Sequence, residues 1–405
     1  MTRRGFAGLV AAVSLISVFI AGCGGLVATP DPVTITFAHP QDPTGAYAQW
    51  AQQFHDLHPN VTVELTTDRR APGVDAFLAS QFDLPQDAQA DAFLDLTAFI
   101  EQSDDLDMGD FYPSALNVFR SQGRQWALPF GLDMMVMFYN QDLFDRYGVR
   151  YPQIGWTWGD FLDRALDLTD PGASVYGYAL QYSADFGIYE PVMMIYQHGG
   201  RIFDSLDAPT RATLDDPLNI EAMDFYASLI HVHHIAPTQD EAERSGRAYP
   251  WGGIFDGRFA MWSMMVSQRG GTQWPTPWRM NWGMVPMPAD VTAGTLAVAD
   301  GLFIASGIEH PEEAWLWIKF LSAQQPPFAV PTRISLAQSP QYEESVGIAI
   351  AEASRAAVAD AILVNPELLG FETALGALAE AFAQIRSGEA TPEIALTAAQ
   401  SKSGN

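Results

Sequence analysis

Aromatic side chains are concentrated in one part of the chain that also contains two Gly-Gly pairs. Eight of them lie between positions 249 and 282: Tyr249, Trp251, Phe255, Phe259, Trp262, Trp274, Trp278 and Trp282. The negative face of an aromatic ring attracts the slightly positive C–H groups on the face of a sugar ring. Such a contact freezes only two torsions of a Trp or Tyr. We therefore predict that Trp251 and Trp262 stack on a carbohydrate, with core packing as the alternative for each tryptophan.

Two aspartates lie beside a glycine in otherwise apolar stretches. Asp133 is the one charged residue between Arg124 and Asp142, in WALPFGLDMMVMFYN, and Asp300 lies in LAVADGLFIAS. Each stretch reads as two short strands joined at the glycine, which suits a chain that crosses between two lobes. Open α/β sheets bind ligands in a crevice outside the carboxyl ends of their strands. We predict that both carboxylates accept hydrogen bonds from ligand hydroxyls, with capping of a turn as the alternative.

A third crossing is predicted where Pro326-Pro327 and Pro331-Thr332-Arg333 follow a helical segment. Arg333 would either reach the ligand or pair with one of the two aspartates. The three crossings together would form the hinge between the lobes.

Signatures of most enzyme classes and of metal sites are missing from the sequence. It has no GxSxG, HExxH, Walker or dinucleotide-binding pattern, and neither Lys319 nor Lys402 lies in a glycine-rich phosphate loop. His231, His233 and His234 do not share one helical face, so we predict no metal site there. We predict a binding protein without enzymatic activity or cofactor. A secreted glycoside hydrolase stays open as the alternative, because that reaction needs only two acids at the correct separation.

Length and charge limit the class of protein further. The chain has 405 residues, more than the roughly 250–300 at which single hydrophobic cores stop growing, so two lobes are expected. The formal net charge is −27, and so acidic a surface repels phosphate backbones. We therefore predict no nucleic-acid partner, and we expect a monomer.

The first segments after residue 32 read as a βαβ unit. Residues 33–38 alternate apolar and polar positions, a helix carrying Tyr47, Trp50 and Phe54 on one face follows, and residues 61–65 form the next strand. This order is typical of an α/β fold in which helices flank a parallel sheet.

Residues 1–22 read as an export signal. Arg3-Arg4 precede an uncharged apolar run, and Ile20-Ala21-Gly22-Cys23 resembles the lipobox of bacterial lipoproteins. Cleavage would leave Cys23, the one cysteine, as an acylated N terminus, and two or more acyl chains anchor a protein stably to a membrane. We therefore expect an exported body, tethered to the outer face of the cell membrane in the periplasm or at the cell surface. The arginine pair also resembles a twin-arginine signal, so the export route stays open.

Several segments, taken in chain order, resemble one protein family. They are ITFAHPQDPTGAYAQWAQQFHDLHPNVTVEL, LPFGLDMMVMFYNQDLFDRYGV, WTWGDFLDRALDLT, GRFAM and TPEIALTAAQ. They resemble the extracellular solute-binding proteins of bacterial ABC importers, in particular the carbohydrate-binding family related to maltose-binding protein. The resemblance implies a two-lobed α/β fold of the periplasmic-binding-protein type, with a hinge of several crossings. It also implies ligand contacts for Tyr182, Tyr189 and Glu190, with placement at the surface as the alternative. Asp75, Asp83 and Trp158 are further candidates.

The same resemblance implies a domain organisation and a function. A signal peptide (1–22) and a tether (23–32) would precede lobe 1 (33–132 plus 302–328) and lobe 2 (136–298 plus 333–400). The lobes would close on a carbohydrate or polyol and deliver it to the permease subunits of an ABC transporter. A surface protein that binds carbohydrate without transporting it is a further alternative.

Overall fold

A computed structural model of the chain describes residues 31–84, 92–180, 187–205, 209–238, 241, 250–271, 277–363 and 371–403. The predicted features at Cys23, Tyr182, Tyr249 and Trp274 lie outside the described residues. Trp251 lies in a described helix, but its side chain is outside the described part.

Strands and helices alternate along much of the chain. The strands are β1 (Val33–Ala38), β2 (Val61–Thr66), β3 (Ala76–Ser80), β4 (Arg120–Ser121), β5 (Arg124–Gln125), β6 (Leu128–Asn140), β7 (Tyr176–Ala179), β8 (Phe259–Met265), β9 (Trp282–Pro286), β10 (Thr295–Ile304), β11 (Val330–Pro331) and β12 (Ala361–Leu363). The helices are α1 (Ala46–Leu57), α2 (Thr97–Glu101), α3 (Pro113–Val118), α4 (Gln141–Tyr147), α5 (Trp158–Asp167), α6 (Tyr189–Gln197), α7 (Pro217–His231), α8 (Pro250–Phe255), α9 (Pro311–Ser322), α10 (Ile334–Ala337), α11 (Pro340–Val346), α12 (Ile348–Ala359), α13 (Glu372–Ser387) and α14 (Pro392–Lys402). Four 3-10 segments are described as well: Gln81–Asp83, Met108–Asp110, Pro171–Ala173 and Val266–Gly271.

One mixed sheet runs through the molecule in the strand order β2-β1-β3-β10-β6-β8-β7. At one end β1 pairs in parallel with β2 and β3, and at the other β7 pairs in parallel with β8. The antiparallel strands β10 and β6 join the two ends. Since β6 pairs first with β10 and later with β8 and β9, one continuous strand connects the two parts of the sheet.

The two aspartate-bearing stretches differ from the sequence prediction in one respect. The pairs of short strands expected around Gly131 and Gly301 are single strands, β6 and β10. No turn forms at either glycine, because β6 and β10 stay paired with each other before and after it. A β-bulge between Asp300 and Gly301 takes up the irregularity instead, as bulges beside functional sites commonly do.

Buried apolar side chains form three clusters around this sheet. The first lies between β1–β3, α1 and α9 and includes Phe37, Phe54 and Trp317. The second lies under α5, α6, α7 and α13. The third surrounds the middle of β6 and includes Phe138 and Trp262. Within the described ranges, no helix has both the length and the apolar character needed to cross a bilayer.

A candidate binding cleft at the three-strand hinge

The three predicted crossings meet at one residue, Gly131. On one side of β6, Gly131 is paired with Asp300 of β10, and on the other side it is paired with Pro331 of β11. The strands that contain these residues therefore lie next to one another, and a cleft opens beside them.

The cleft encloses about 990 Å³, the upper end of the range of about 300–1,000 Å³ that is usual for small-molecule sites. Its lining comprises His39, Pro40, Gln41, Asp42, Pro43, Tyr47, Thr67, Leu78, Phe130, Gly131, Asp133, Ser267, Asp300, Pro326, Pro327, Phe328 and Ala329. The loops that follow the parallel strands β1 and β2 supply part of this wall. The cleft therefore lies at the carboxyl ends of strands, where open α/β sheets bind ligands.

Strand register places Asp133 and Asp300 on the same side of the sheet. Asp133 is paired with Val298 and Gly131 with Asp300, and directly opposed residues of an antiparallel pair point to the same face. The two aspartates are therefore diagonal neighbours, about 7–8 Å apart in a regular pair of strands. Both line the cleft, and their hydrogen bonds to a ligand stay a prediction.

Burial disfavours the charged form of both carboxylates, and repulsion by neighbouring carboxylates adds to this effect at Asp300. Burial raises the pKa of Asp133 to about 6, although the Ser267 backbone amide, which donates to Oδ1 at 2.9 Å, and the nearby Arg269 act in the opposite direction. Burial raises the pKa of Asp300 to about 7, and the negative charges of Asp133 and Asp83 raise it further. The cleft therefore holds a pair of acids with unequal environments, of which only Asp133 has described hydrogen-bond donors.

The aromatic lining of the cleft comes from residues that sequence reasoning did not single out. His39 and Tyr47 stack with their ring centroids 4.3 Å apart, and Phe130 and Phe328 also line the cleft. Tyr47 and Phe130 are themselves almost fully buried, whereas His39 and Phe328 are partly exposed. The sequence contains one signal that could have identified them. His39 and Tyr47 flank the loop after the first parallel strand, and Phe130 precedes Gly131. Such loops are the expected place for a ligand.

A proline-rich loop, residues 326–329, closes the cleft beside Gly131. A Cβ atom on Gly131 would lie 2.8 Å from the Cβ of Ala329, so the absence of a side chain allows this approach. Arg269 holds the loop by donating to the carbonyl oxygens of Pro327 and Phe328. Burial lowers the pKa of this guanidinium.

Trp262 occupies a different place from the one predicted. Its side chain is 0% exposed, lies parallel to Phe138 with the ring centroids 6.2 Å apart, and meets Trp278 edge-on at 5.0 Å. Trp282 packs against the same group. These rings form part of the third apolar cluster, so in this structure Trp262 has no face available to a ligand.

Arg333 and two of the candidate aspartates make structural contacts outside the cleft lining. Arg333 donates to the Ser322 carbonyl oxygen and hydroxyl at 2.9 and 2.8 Å and lies over the Phe111 ring, so it pairs with neither cleft aspartate. Asp75 accepts a hydrogen bond from the Thr36 amide and thereby ties β3 to β1. Asp83 caps a 3-10 turn and forms an ion pair with Arg69 at 2.9 Å.

The second-lobe candidates lie in or against the second apolar cluster. Trp158 is buried and donates from Nε1 to Gln197 Oε1 at 2.7 Å. Glu190 is 1% exposed and accepts hydrogen bonds from Tyr178 at 2.5 Å and Ser263 at 3.3 Å. Tyr189 begins α6 and packs partly buried against the same cluster. None of the three is among the described residues that line the cleft.

No group of three or more potential ligands suited to a metal ion occurs among the described residues. In the histidine-rich segment, His231 Nε2 instead lies 2.9 Å from the Ile385 carbonyl oxygen. This contact fixes the end of α7 against α13.

Comparison with protein families gives a match over most of the chain. The model described as "Bacterial extracellular solute-binding protein" matches residues 38–325. An uncharacterized lipoprotein of Streptomyces antibioticus is 25% identical over 340 residues, which are 76% of this chain and 71% of the relative. An arabinooligosaccharide-binding protein of Halalkalibacterium halodurans is 26% identical over 185 residues, which are 45% of this chain and 38% of the relative.

Solved structures share the fold. An ABC substrate-binding protein of Listeria monocytogenes, in complex with cycloalternan, superposes with a TM-score of 0.74 at 22% identity. The match covers 92% of this chain and 98% of that protein. It confirms the predicted α/β fold of the periplasmic-binding-protein type, in which the sheet is mixed and flanked by helices.

Proposed function

Because the chain belongs to the bacterial extracellular solute-binding proteins, we propose that it is a lipid-anchored receptor for a carbohydrate or polyol. It would deliver this ligand to the permease subunits of an ABC transporter. The observation that carries the proposal is the cleft of about 990 Å³ beside the strands that cross at Gly131. Its carboxylates and aromatic rings are the groups that hydroxyls and sugar-ring faces require.

Hinge closure is the proposed mechanism of capture. Lobe 1 would comprise 33–132 plus 302–328 and lobe 2 would comprise 136–298 plus 333–400, so that only β6, β10 and the segment around β11 connect them. A rotation about a few backbone torsions in these strands can close the cleft. A ligand that contacts both lobes binds the closed state better and shifts the population towards it.

A sugar-binding screen tests the proposal directly. Thermal shifts are measured over a panel of sugars, polyols and glycerol phosphates, because a ligand that binds the native state raises the melting temperature by mass action. Titration calorimetry then gives the stoichiometry, and small-angle scattering compares the free and bound shapes. One-to-one binding with a more compact bound form supports the receptor. A folded protein that binds no member of the panel contradicts it.

The paired cleft acids, Asp133 and Asp300, are the one observation that favours a glycoside hydrolase instead. A hydrolase of this type uses one protonated and one ionised carboxyl group, and unequal environments favour that division. Incubation with labelled oligosaccharides separates the two functions. Released products would establish the hydrolase, whereas stoichiometric binding without products supports the receptor.

The anchor is tested at Cys23. Replacement by Ser removes the thiol that the lipid would modify, so we expect the variant to lose incorporation of labelled fatty acid and to move from the membrane fraction to the soluble exported fraction. Incorporation that persists in Cys23→Ser would contradict the assignment.

A further inference from the structure

The charge of the described cleft lining is one-sided. Asp42, Asp133 and Asp300 are acidic, and the lining residues that the structure describes include neither Lys nor Arg. A ligand that enters this cleft therefore meets three carboxylates, and His39 is the one described lining residue with an imidazole ring.

Two of the three acids are already engaged by the protein. Asp42 accepts hydrogen bonds from the backbone amides of Thr44 and Tyr47 and from the Thr44 hydroxyl, and it thereby shapes the loop before α1. Asp133 accepts the Ser267 amide, with the Arg269 guanidinium nearby.

Asp300 differs from both, because among the described residues no group donates a hydrogen bond to its carboxylate. The charged groups that act on it are Asp133 and Asp83, and both repel its negative charge. A partly buried carboxylate in this position needs a cation or a proton to offset its lost hydration. The Asp300 side chain lines the cleft on the same side of the sheet as Asp133.

We propose that the ligand carries a protonated amine beside its hydroxyl groups, as an amino sugar or aminocyclitol does, and that Asp300 binds this ammonium group. The inference rests on the proposed carbohydrate-binding function and narrows its ligand class. The ammonium group would lie near both cleft carboxylates. A charge-assisted hydrogen bond to Asp300 would distinguish such a ligand from its neutral counterpart.

The test uses three sets of oligosaccharides with the same β-1,4 linkage and length, built from glucosamine, N-acetylglucosamine or glucose. Titration calorimetry at neutral pH gives the dissociation constants for the full exported chain, for Asp300→Asn and for Asp104→Asn. Asp104 is exposed and lies outside the cleft lining, so Asp104→Asn is the matched loss of one charge. We expect the amine-bearing set to bind at least about tenfold more tightly than the neutral sets. Asp300→Asn should remove this preference, and Asp104→Asn should keep it.

Each outcome bears on the inference. Equal or tighter binding of the neutral sets overturns the inference and leaves the carbohydrate receptor standing, as does a preference that survives in Asp300→Asn. Failure of all three sets and of the wider sugar and polyol panel, with the protein folded, overturns the receptor itself. A preference that weakens with added salt in the unmodified protein supports an ion pair, because salt screens charge interactions.

Discussion

Asp133 and Asp300 are diagonal neighbours on the antiparallel pair β6–β10, and Gly131, directly opposite Asp300, places no side chain between them. This arrangement brings two like charges together in a partly buried cleft. Protonation of one of them relieves the repulsion, so the free protein should titrate in a pH range where isolated aspartates are already ionised.

The first prediction concerns the stability of the free protein against pH. Asp300 has its pKa raised from 3.8 to about 7, so between these values the native protein holds a proton that the unfolded chain has lost. Its stability therefore falls as pH rises through this window. Asp300→Asn has no carboxyl group at this position and therefore avoids this loss of stability. The loss amounts to about 1–3 kcal/mol after allowance for solvent screening. In a pH series, the melting temperature of Asp300→Asn should rise relative to that of the unmodified protein up to about pH 7. Above this pH the difference should stay constant. A difference between Asp300→Asn and the unmodified protein that does not change with pH would contradict the prediction.

The second prediction concerns Gly131. A methyl group there would meet the Cβ of Ala329 at 2.8 Å, so Gly131→Ala should push the 326–329 loop outward and destabilise the protein by about 1–3 kcal/mol. Gly376→Ala is the matched control, because its Cβ would have no neighbour within 4 Å in helix α13 and should stabilise that helix by about 0.5–1 kcal/mol. Urea unfolding measures both. Equal stabilities of the two variants would show that the hinge does not depend on this close approach.

The third prediction separates a core role from a binding role for Trp262. Its ring is fully buried against Phe138 and Trp278, so Trp262→Ala should lower the free energy of unfolding by about 3–5 kcal/mol. Trp262→Phe keeps an aromatic ring in the cluster and should remain folded. The ligand dissociation constant of the folded Phe variant, measured by calorimetry, should match that of the unmodified protein. A large loss of affinity in that variant would restore the stacking role that the sequence suggested.

The family, the fold class and the crossings follow from local pattern in the sequence. Asp133 and Asp300 each interrupt an apolar stretch beside a glycine, and such an interruption is uncommon in a strand with two neighbours on the sheet. Thr157, three residues before Asp160, predicts the start of α5, and both capping hydrogen bonds are present. The sequence predicts these features because the residues that produce them are close to one another along the chain.

The aromatic contacts could not be assigned in the same way. An aromatic residue in a glycine-rich segment has the same local sequence pattern whether it faces a cleft or a core. The residues that pack against it in the fold determine which of the two it faces. Trp262 is buried because β8 pairs with β6 and sets it beside Phe138, a contact between residues far apart in the sequence. Arg333 likewise contacts Phe111 and Ser322, neither of which its own segment indicates. His39 and Tyr47 lack any such signal except their position after β1.

The fourth prediction concerns Glu190, which the sequence reading assigned to the ligand. In the structure its carboxylate is buried, accepts hydrogen bonds from Tyr178 and Ser263, and has its pKa raised by burial to about 7. Glu190→Gln keeps an oxygen acceptor without the charge, so its melting temperature should rise relative to the unmodified protein as pH increases from 4.5 to about 7. Glu190→Ala leaves the Tyr178 hydroxyl without its acceptor and should destabilise the protein by about 2–4 kcal/mol at acidic pH. Ligand affinity in Glu190→Gln should be unchanged, because no described atom of Glu190 lines the cleft. Calorimetry compares the ligand dissociation constants of Glu190→Gln and Asp300→Asn. Weakened binding in both variants would assign Glu190 to the ligand site, whereas weakened binding in Asp300→Asn alone would assign it to the core.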